Sequence, residues 1–598
     1  MASRGRRSEK PRRGRSAIIG AGVPWGLFLF VILITVQGAL IGFWVLLSDS
    51  GSADLILTDA LVRTLDPEAP LAEAVAIQDG EILAVGTNQE VGAWAGEETQ
   101  VLDLDGALVL PGLIDAHGHF MSLGESLMQL DLRSPGTWAE IVELVAQAVQ
   151  DASPGEWIVG RGWHQDKWVE APVPAVEGLP VHTALSAVSP SNPVMLIHVS
   201  GHGVFVNGRA LEILGIGPWT PDPEGGEFVR DGSGNPTGML REAAQDLARA
   251  AVADDRSTRT PAEVEAELRR QVELAGAEAL ANGITTFHDM GETFETIDFL
   301  KMMAEEGSLP LRLYVHIQEP AEALEGRLAD YRVIGLGDNH LTVRAIGEKV
   351  LDGALGVHGG WLLEPYADMP RSSGFNVTPV TDIHRSAQLA AEYGFQMAIQ
   401  GIGDRAAREL LDIYEEVQSE NPDKSDFRWR IEHCQVIHPD DQARFSELGV
   451  IASVRGIFAT SDGPWVVSRL GEERTRLRGY PNRSLFESGA VVVNGTDPPV
   501  EDIDPIMNFY RSVSRMMENG ERFFPEQAMT RDQALASYTT NPAFAAFEEA
   551  LKGSITPGKL ADITILSGDI LTVEEEEIPD LEVLHTIIGG EVKYSKGG

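Results

Sequence analysis

The chain has 598 residues, too many for one ordinary core, so at least two packed units are expected. Its 47 basic against 90 acidic residues give a formal charge of -43, which excludes the basic face that nucleic-acid binding needs. Cys434 is the single cysteine, so an intramolecular disulfide and a cysteine-built metal site are also excluded, and any metal must be held by His, carboxylate or modified Lys.

In chain order, residues 1–16 form a basic tail with Arg4, Arg6, Arg7, Lys10, Arg12, Arg13 and Arg15 against Glu9 alone. Residues 17–47 carry no charge and include the run WGLFLFVILITV. That segment exceeds both the roughly 20 residues needed to span a bilayer and the roughly 7–15 apolar residues of a cleavable signal. With its basic flank it predicts an uncleaved single-pass membrane anchor, the N-terminus cytoplasmic and the remainder extracellular or periplasmic. A cleaved signal is the alternative.

From residue 52 to 107 short alternating runs are broken by Asp-Gly turns, as in DLILTDALVRTL and AVAIQDGEILAVG. They read as antiparallel hairpins. Residues 553–595 repeat the style in GSITPGKLADITIL and VLHTIIGGEVKY. Neither piece is large enough to fold alone, so the two chain ends are expected to share one small β-sandwich.

Residues 108–552 alternate apolar strands with helical patterns. The strand candidates are LVLPGLIDAHGHF, ITTFHDM, LRLYVHI, TVRAIGEKV, FQMAIQG, RWRIEHC, GVIASVR and AVVVNGTD. Eight such runs predict a (β/α)8 TIM-type barrel of the α/β class. The first two are separated by far more than one helix, which predicts an insertion over about 125–280. The polar residues of interest fall late in their runs, at the barrel face where active sites are built. His117 and His119, two apart on an extended segment, share one side and suit a metal such as Zn²⁺.

The segment PGLIDAHGHF resembles the first-strand signature of the amidohydrolase superfamily. Further segments resemble its formamide-deformylase-like branch, amidohydrolase family 3: GITTFHDM, KVLDGALG, IGDRAARELLDIYE, RIEHCQVIHPDDQARFSELGVIASV, YPNRSLFESGAVVVNGTDPPV, YTTNPA and GSITPGKLADITIL. They span roughly residues 53–595 in order. The resemblance implies a metal-dependent barrel with a flanking sandwich. It implies His117 and His119 as first-strand ligands and His433 as the sixth-strand ligand. Asp497 is implied as the eighth-strand residue that binds metal and moves the proton, and Lys349 as a lysine carboxylated by CO₂ and bridging two metals.

The fifth-strand position, usually His, is Gln400 here, a weaker ligand than imidazole. One or two divalent ions, zinc first among them, are therefore expected, with a single or asymmetric site ranked ahead. Arg455 replaces a Gln of the branch, and could meet a substrate carboxylate or pair with an acid. His358 is a loop imidazole able to replace the missing ligand. Trp163, His164, His202 and Asn207 lie in insertion segments similar to those that line substrate pockets in the branch.

The expected activity is hydrolysis of a non-peptide, N-acyl or N-formyl C–N bond by metal-activated water. Asp497 would serve as base then acid, with His433 or His202 at the oxyanion. The alternatives are deamination or another bond, and a degenerate barrel that binds or senses at the cell surface. The expected partners are a small-molecule substrate and the membrane, with homo-oligomerisation left open.

Overall fold

A computed structural model describes residues 51–165, 168–198, 203–223, 225–257 and 259–597. Its centre is a run of eight parallel strands: β1 (Leu113–Gly118), β2 (Ile284–Glu292), β3 (Arg312–Ile317), β4 (Leu341–Val350), β5 (Gln396–Gly401), β6 (Arg430–His433), β7 (Ile451–Val454) and β8 (Val492–Asn494). Alternation along each strand decides what goes where. In β3, Leu313, Val315 and Ile317 face the surrounding helices, while Tyr314 and His316 take the opposite phase. In β6, Ile431 joins the outer apolar core and Arg430 and Glu432 point inward; in β7, Ala452 and Val454 point outward and Ser453 inward. The outer face thus buries aliphatic surface against helices, and the upper interior is polar.

No ladder joins β8 to β1, but the seam is stitched at its upper end. Asp497 N donates to His117 O at 2.9 Å. Thr496 N and the Thr496 hydroxyl both donate to Asp115, the former at 3.1 Å. The nearly closed barrel is completed at the place where the metal-ligating candidates meet.

Helices α1 (Phe120–Leu127) and α2 (Pro261–Ala281) pack together on the outside, with α3 (Phe294–Glu305), α4 (Val380–Tyr393), α5 (Asp404–Glu420) and α6 (Pro439–Leu448) following their strands. α2 starts at a capping box of Thr260 and Glu263 with Pro261 in its first turn, which satisfies otherwise orphaned backbone donors.

The chain ends form two apposed sheets. One contains Leu55–Thr58, Ala74–Gln78, Glu81–Gly86 and Gln100–Asp103; the other joins Leu61–Arg63 and Leu108–Pro111 to Ile563–Leu566, Val583–Ile588 and Glu591–Ser595. Leu57, Val75, Ile77, Val109, Ile563 and Ile587 share their core. Arg312 at the base of β3 ties this unit to the barrel through two bonds to Asp562, at 2.7 and 3.0 Å.

The insertion is a six-stranded sheet with its own core around Trp138, Trp163, Leu196 and Phe205. Its elements run from Leu130–Asp131 to Gln245–Ser257. The expected range of 125–280 is too long, because α2 puts Val272, Ala275 and Ala279 into the barrel's core rather than the insertion's.

The expected single-pass membrane placement is corrected here. No helix among the described residues is long and apolar enough to cross a membrane, and the segment 17–47 that suggested one lies outside the described residues.

Candidate metal centre

Five side chains converge at the upper end of the barrel: His117 and His119 from the end of β1, Glu348 from β4, His433 from β6 and Asp497 just after β8. Two overlapping sets, His117–His119–Glu348 and His117–His433–Asp497, each hold their ligand atoms within 4.8 Å of one another. Asp497 Oδ1 lies 3.5 Å from both His117 Nε2 and His119 Nε2. Glu348 reaches His433 Nε2 at 3.3 Å and His117 Nε2 at 3.8 Å. His433 and Asp497 both adopt left-handed backbone angles, with φ of 71° and 61°. Non-glycine residues hold that conformation only where their surroundings enforce it, and here it turns each side chain out of the strand's alternation.

The imidazole of His117 has a defined tautomer. Its Nδ1 lies 2.8 Å from Glu432, and an ionised carboxylate can only accept, so Nδ1 carries the proton and Nε2 presents a lone pair to the cluster. Burial would raise the Glu432 carboxyl, but Arg430 and His117 hold it well below its ordinary range. Burial would likewise raise Asp497, yet His117 and His119 keep it well below the usual carboxylate value. For His119, burial disfavours the charged form, and Asp497 outweighs that and raises its pKa.

The donor set fits a divalent ion. His117 Nε2, Glu348 Oε1 and Asp497 Oδ1 are buried and have no hydrogen-bond partner, a costly state for polar atoms unless something else binds them. Imidazole nitrogens mixed with carboxylate oxygens suit Zn²⁺ and its neighbours.

The other expected residues separate. Lys349 is not brought to the cluster: its ammonium pairs with Asp382 of α4 at 2.9 Å, and the preceding Glu348 takes the inward position. Consecutive strand residues face opposite sides, so a reading one residue out exchanges a ligand for an outward cation. Gln400 donates its amide to the Asp352 carbonyl. His358 pairs with Asp368 at 3.0 Å and packs on Tyr366, so it does not replace a ligand. Arg455 is buried, with Nη2 3.3 Å from Glu432 and Nε 3.9 Å from Asp497, so it meets protein acids beneath the cluster.

Trp163 lies in the insertion's core and donates to the Leu196 carbonyl at 3.0 Å. His164 is half-buried against His198, with ring centroids 4.8 Å apart. Asn207 caps the helix Gly208–Leu214 by accepting from Ala210 N. His202 lies outside the described residues.

Residues that motif reading passed over carry much of the arrangement. Glu348 and Glu432 sit beside the residues singled out in GEKV and RIEH. Asp352, in DGALG, accepts from the backbone of Trp361, Ile402 and Gly403 and pins the loop after β4 to the end of β5; burial pushes its carboxyl up to about 7. A carboxylate with an apolar strand on one side and glycines on the other was the available signal. Phe458 stacks over His433 at 6.0 Å between centroids. A cleft of about 680 Å³ lies beside the loop that follows Asp497, lined by Leu123 and Leu127 of α1, Arg161 of the insertion, and Val500.

Comparison with known proteins agrees with this geometry. A family model described as the amidohydrolase family matches residues 100–594. The chain is 33% identical over 556 residues to protein LONG AFTER FAR-RED 3 of Arabidopsis thaliana, covering 91% of this chain and 92% of that one. It is 29% identical over 569 residues to N-substituted formamide deformylase of Arthrobacter pascens, covering 91% and 99%. Among solved structures, an uncharacterized metal-dependent hydrolase from Pyrococcus horikoshii OT3 matches with a TM-score of 0.69 at 26% identity, over 87% of this chain and 99% of that one.

Proposed function

The chain belongs to the amidohydrolase family and is a metal-dependent hydrolase acting on carbon–nitrogen bonds; on that premise we propose that it cleaves an N-acyl or N-formyl amide, with His117, His119, Glu348, His433 and Asp497 holding the metal. The observation that carries the reading is Asp497 Oδ1, buried, without a hydrogen-bond partner and equidistant from the two β1 histidines. The likeness to a protein named N-substituted formamide deformylase supports the choice of bond.

When bound, a divalent ion such as Zn²⁺ supplies Lewis acidity, acidifying water and polarising a carbonyl. The chain's own residues do the rest. Asp497, held ionised by its neighbours, takes the proton from the attacking water and returns it to the leaving nitrogen. Glu432 fixes the His117 tautomer so that Nε2 keeps its lone pair. His433, stacked on Phe458, turns Nε2 toward Glu348 and belongs to the set that would hold the ion. Glu348 provides a carboxylate in the polypeptide itself, so a CO₂-derived carbamate on Lys349 has no part in this reading.

The test is a screen of N-formyl and N-acyl amines against metal-reconstituted protein, scoring the released amine. Turnover that is lost on chelation and regained with Zn²⁺ is the expected result. Protein that binds no divalent metal, or that binds it and turns over no amide in the panel, overturns the reading.

A further inference from the structure

Beneath the proposed metal position lies a buried ionic layer with an odd composition. Arg430 Nε approaches Glu432 Oε1 at 2.7 Å, and Arg455 Nη2 approaches Glu432 Oε2 at 3.3 Å. Both guanidiniums are buried, Arg430 completely. Arg430 also donates to the Ala116 carbonyl at 2.7 Å and meets His288 Nδ1 at 3.1 Å, so its place is fixed from several sides. Arg455 Nη1 is held by the Ser453 hydroxyl and the Val454 carbonyl, at 2.9 and 3.2 Å, and its Nε, like that of Arg430 buried without a hydrogen-bond partner, stands 3.9 Å from Asp497 Oδ2. It is a cation aimed at the underside of the proposed base.

The charges can be counted on the groups in direct contact. Glu348, Glu432 and Asp497 are the carboxylates that stand within 4.0 Å of the histidines of the site or of the two guanidiniums, Arg430 and Arg455. With neutral imidazoles this set carries one negative charge, so one divalent ion already turns it positive. A second divalent ion would add two further positive charges in a closed, poorly solvated space, where like charges a few ångströms apart repel strongly. On the side where a second ion would need a strand-five ligand, Gln400 offers only a neutral amide oxygen, a weaker ligand than imidazole, while its amide nitrogen donates to the Asp352 carbonyl.

We propose that Arg455 is a positioning residue that supplies a fixed positive charge beneath Asp497 and restricts the centre to a single divalent ion. The inference rests on the metal-hydrolase reading above. It assigns a reason for the coexistence of a buried arginine and a weakly ligating glutamine in one site: the arginine occupies, in charge, what a second ion would otherwise neutralise.

The experiment is a Zn²⁺ titration of metal-stripped full-length protein by calorimetry, with bound zinc counted by mass spectrometry. Wild type binds one equivalent. Arg455→Met gains a second equivalent, or tightens second-site binding by about 10-fold or more. Arg455→Lys restores the single stoichiometry. A merely structural arginine would lower metal content on removal, not raise it. Two equivalents in wild type overturn the inference and leave the hydrolase reading standing, as does an Arg455→Met protein with unchanged second-site binding. No metal in wild type removes both. Should Arg455→Met fail to fold, Arg455→Gln serves the same comparison, and the wild-type count still decides against the proposal if it is two.

Discussion

The barrel contains two buried ionic clusters, one at each end, and they are built on opposite plans. At the base, Arg312 and Asp562 form a closed pair: the guanidinium also donates to the Asp338 carbonyl at 2.8 Å, and Asp562 Oδ1 also accepts from Gly589 N at 3.0 Å. At the top, His117 Nε2, Glu348 Oε1 and Asp497 Oδ1 are as deeply buried but lack hydrogen-bond partners. A protein that tolerates this at one end and avoids it at the other is separating structure from chemistry. Saturated charge fixes geometry; open charge awaits a ligand.

That contrast can be broken most sharply at Asp497. Asp497→Asn should lower kcat by about 100-fold or more, the usual scale for losing a proton-transfer group. Bound metal should fall much less than activity, and both are read on one preparation by zinc analysis and amine release. At the other end, removing Asp562 leaves Arg312 buried without its partner, and Asp562→Ala should cost about 3–5 kcal/mol in a denaturant melt while leaving metal stoichiometry at its wild-type value.

The same pair sets a pH response. Burial opposes ionisation of Asp562, but Arg312 holds its pKa below the ordinary value of 3.8. Its stabilisation is therefore complete above that ordinary value and is lost as pH falls through the lower folded-state value. Melting temperature followed from pH 6 downward should drop in wild type, and Asp562→Asn should start lower and show a shallower acid slope.

A smaller effect is expected one layer beneath the site. Glu432→Gln keeps the shape but weakens the hold on His117 Nδ1, and metal affinity should fall by about 10–100-fold. The smallest is the contrast of neighbours on β4. Glu348→Gln should lower metal affinity, whereas Lys349→Gln, whose ammonium pairs with Asp382 and not with the cluster, should leave it within about 2-fold. Equal losses for the two would move the ligand back to Lys349.

That last pair also marks where the sequence stops being readable. His117, His119, His433 and Asp497 are legible because short motifs hold them at strand ends. Lys349 is the residue that the family resemblance implies, and motif position carries no information about the strand's phase, which brings Glu348 to the cluster instead. The β4–β5 pairing shifts register between Ile346 and Lys349, and such a shift is invisible in a one-dimensional pattern. Glu432 was hidden for a related reason. Simple alternation sets it opposite His433, and only the left-handed φ at His433 lets both serve one centre. The barrel itself was legible from eight apolar runs, since outward positions must be aliphatic wherever helices cover them. The limits of the insertion were not, because α2 has the same composition whichever core it joins.

The stitched seam between β1 and β8 has a thermodynamic corollary. His117 and Asp497 lie far apart in the chain, and their backbone bond, with the one from His119 N to the Pro498 carbonyl, fastens the upper end of the cylinder. An ion gripped by both side chains joins the first strand to the eighth at that point. Because such an ion binds the folded chain and not the unfolded one, occupancy and fold stability are linked: at 100 times its Kd it adds about 2.7 kcal/mol. The catalytic cofactor would then double as the barrel's clasp, and the concentration of free metal would set how long the enzyme survives as well as how fast it works.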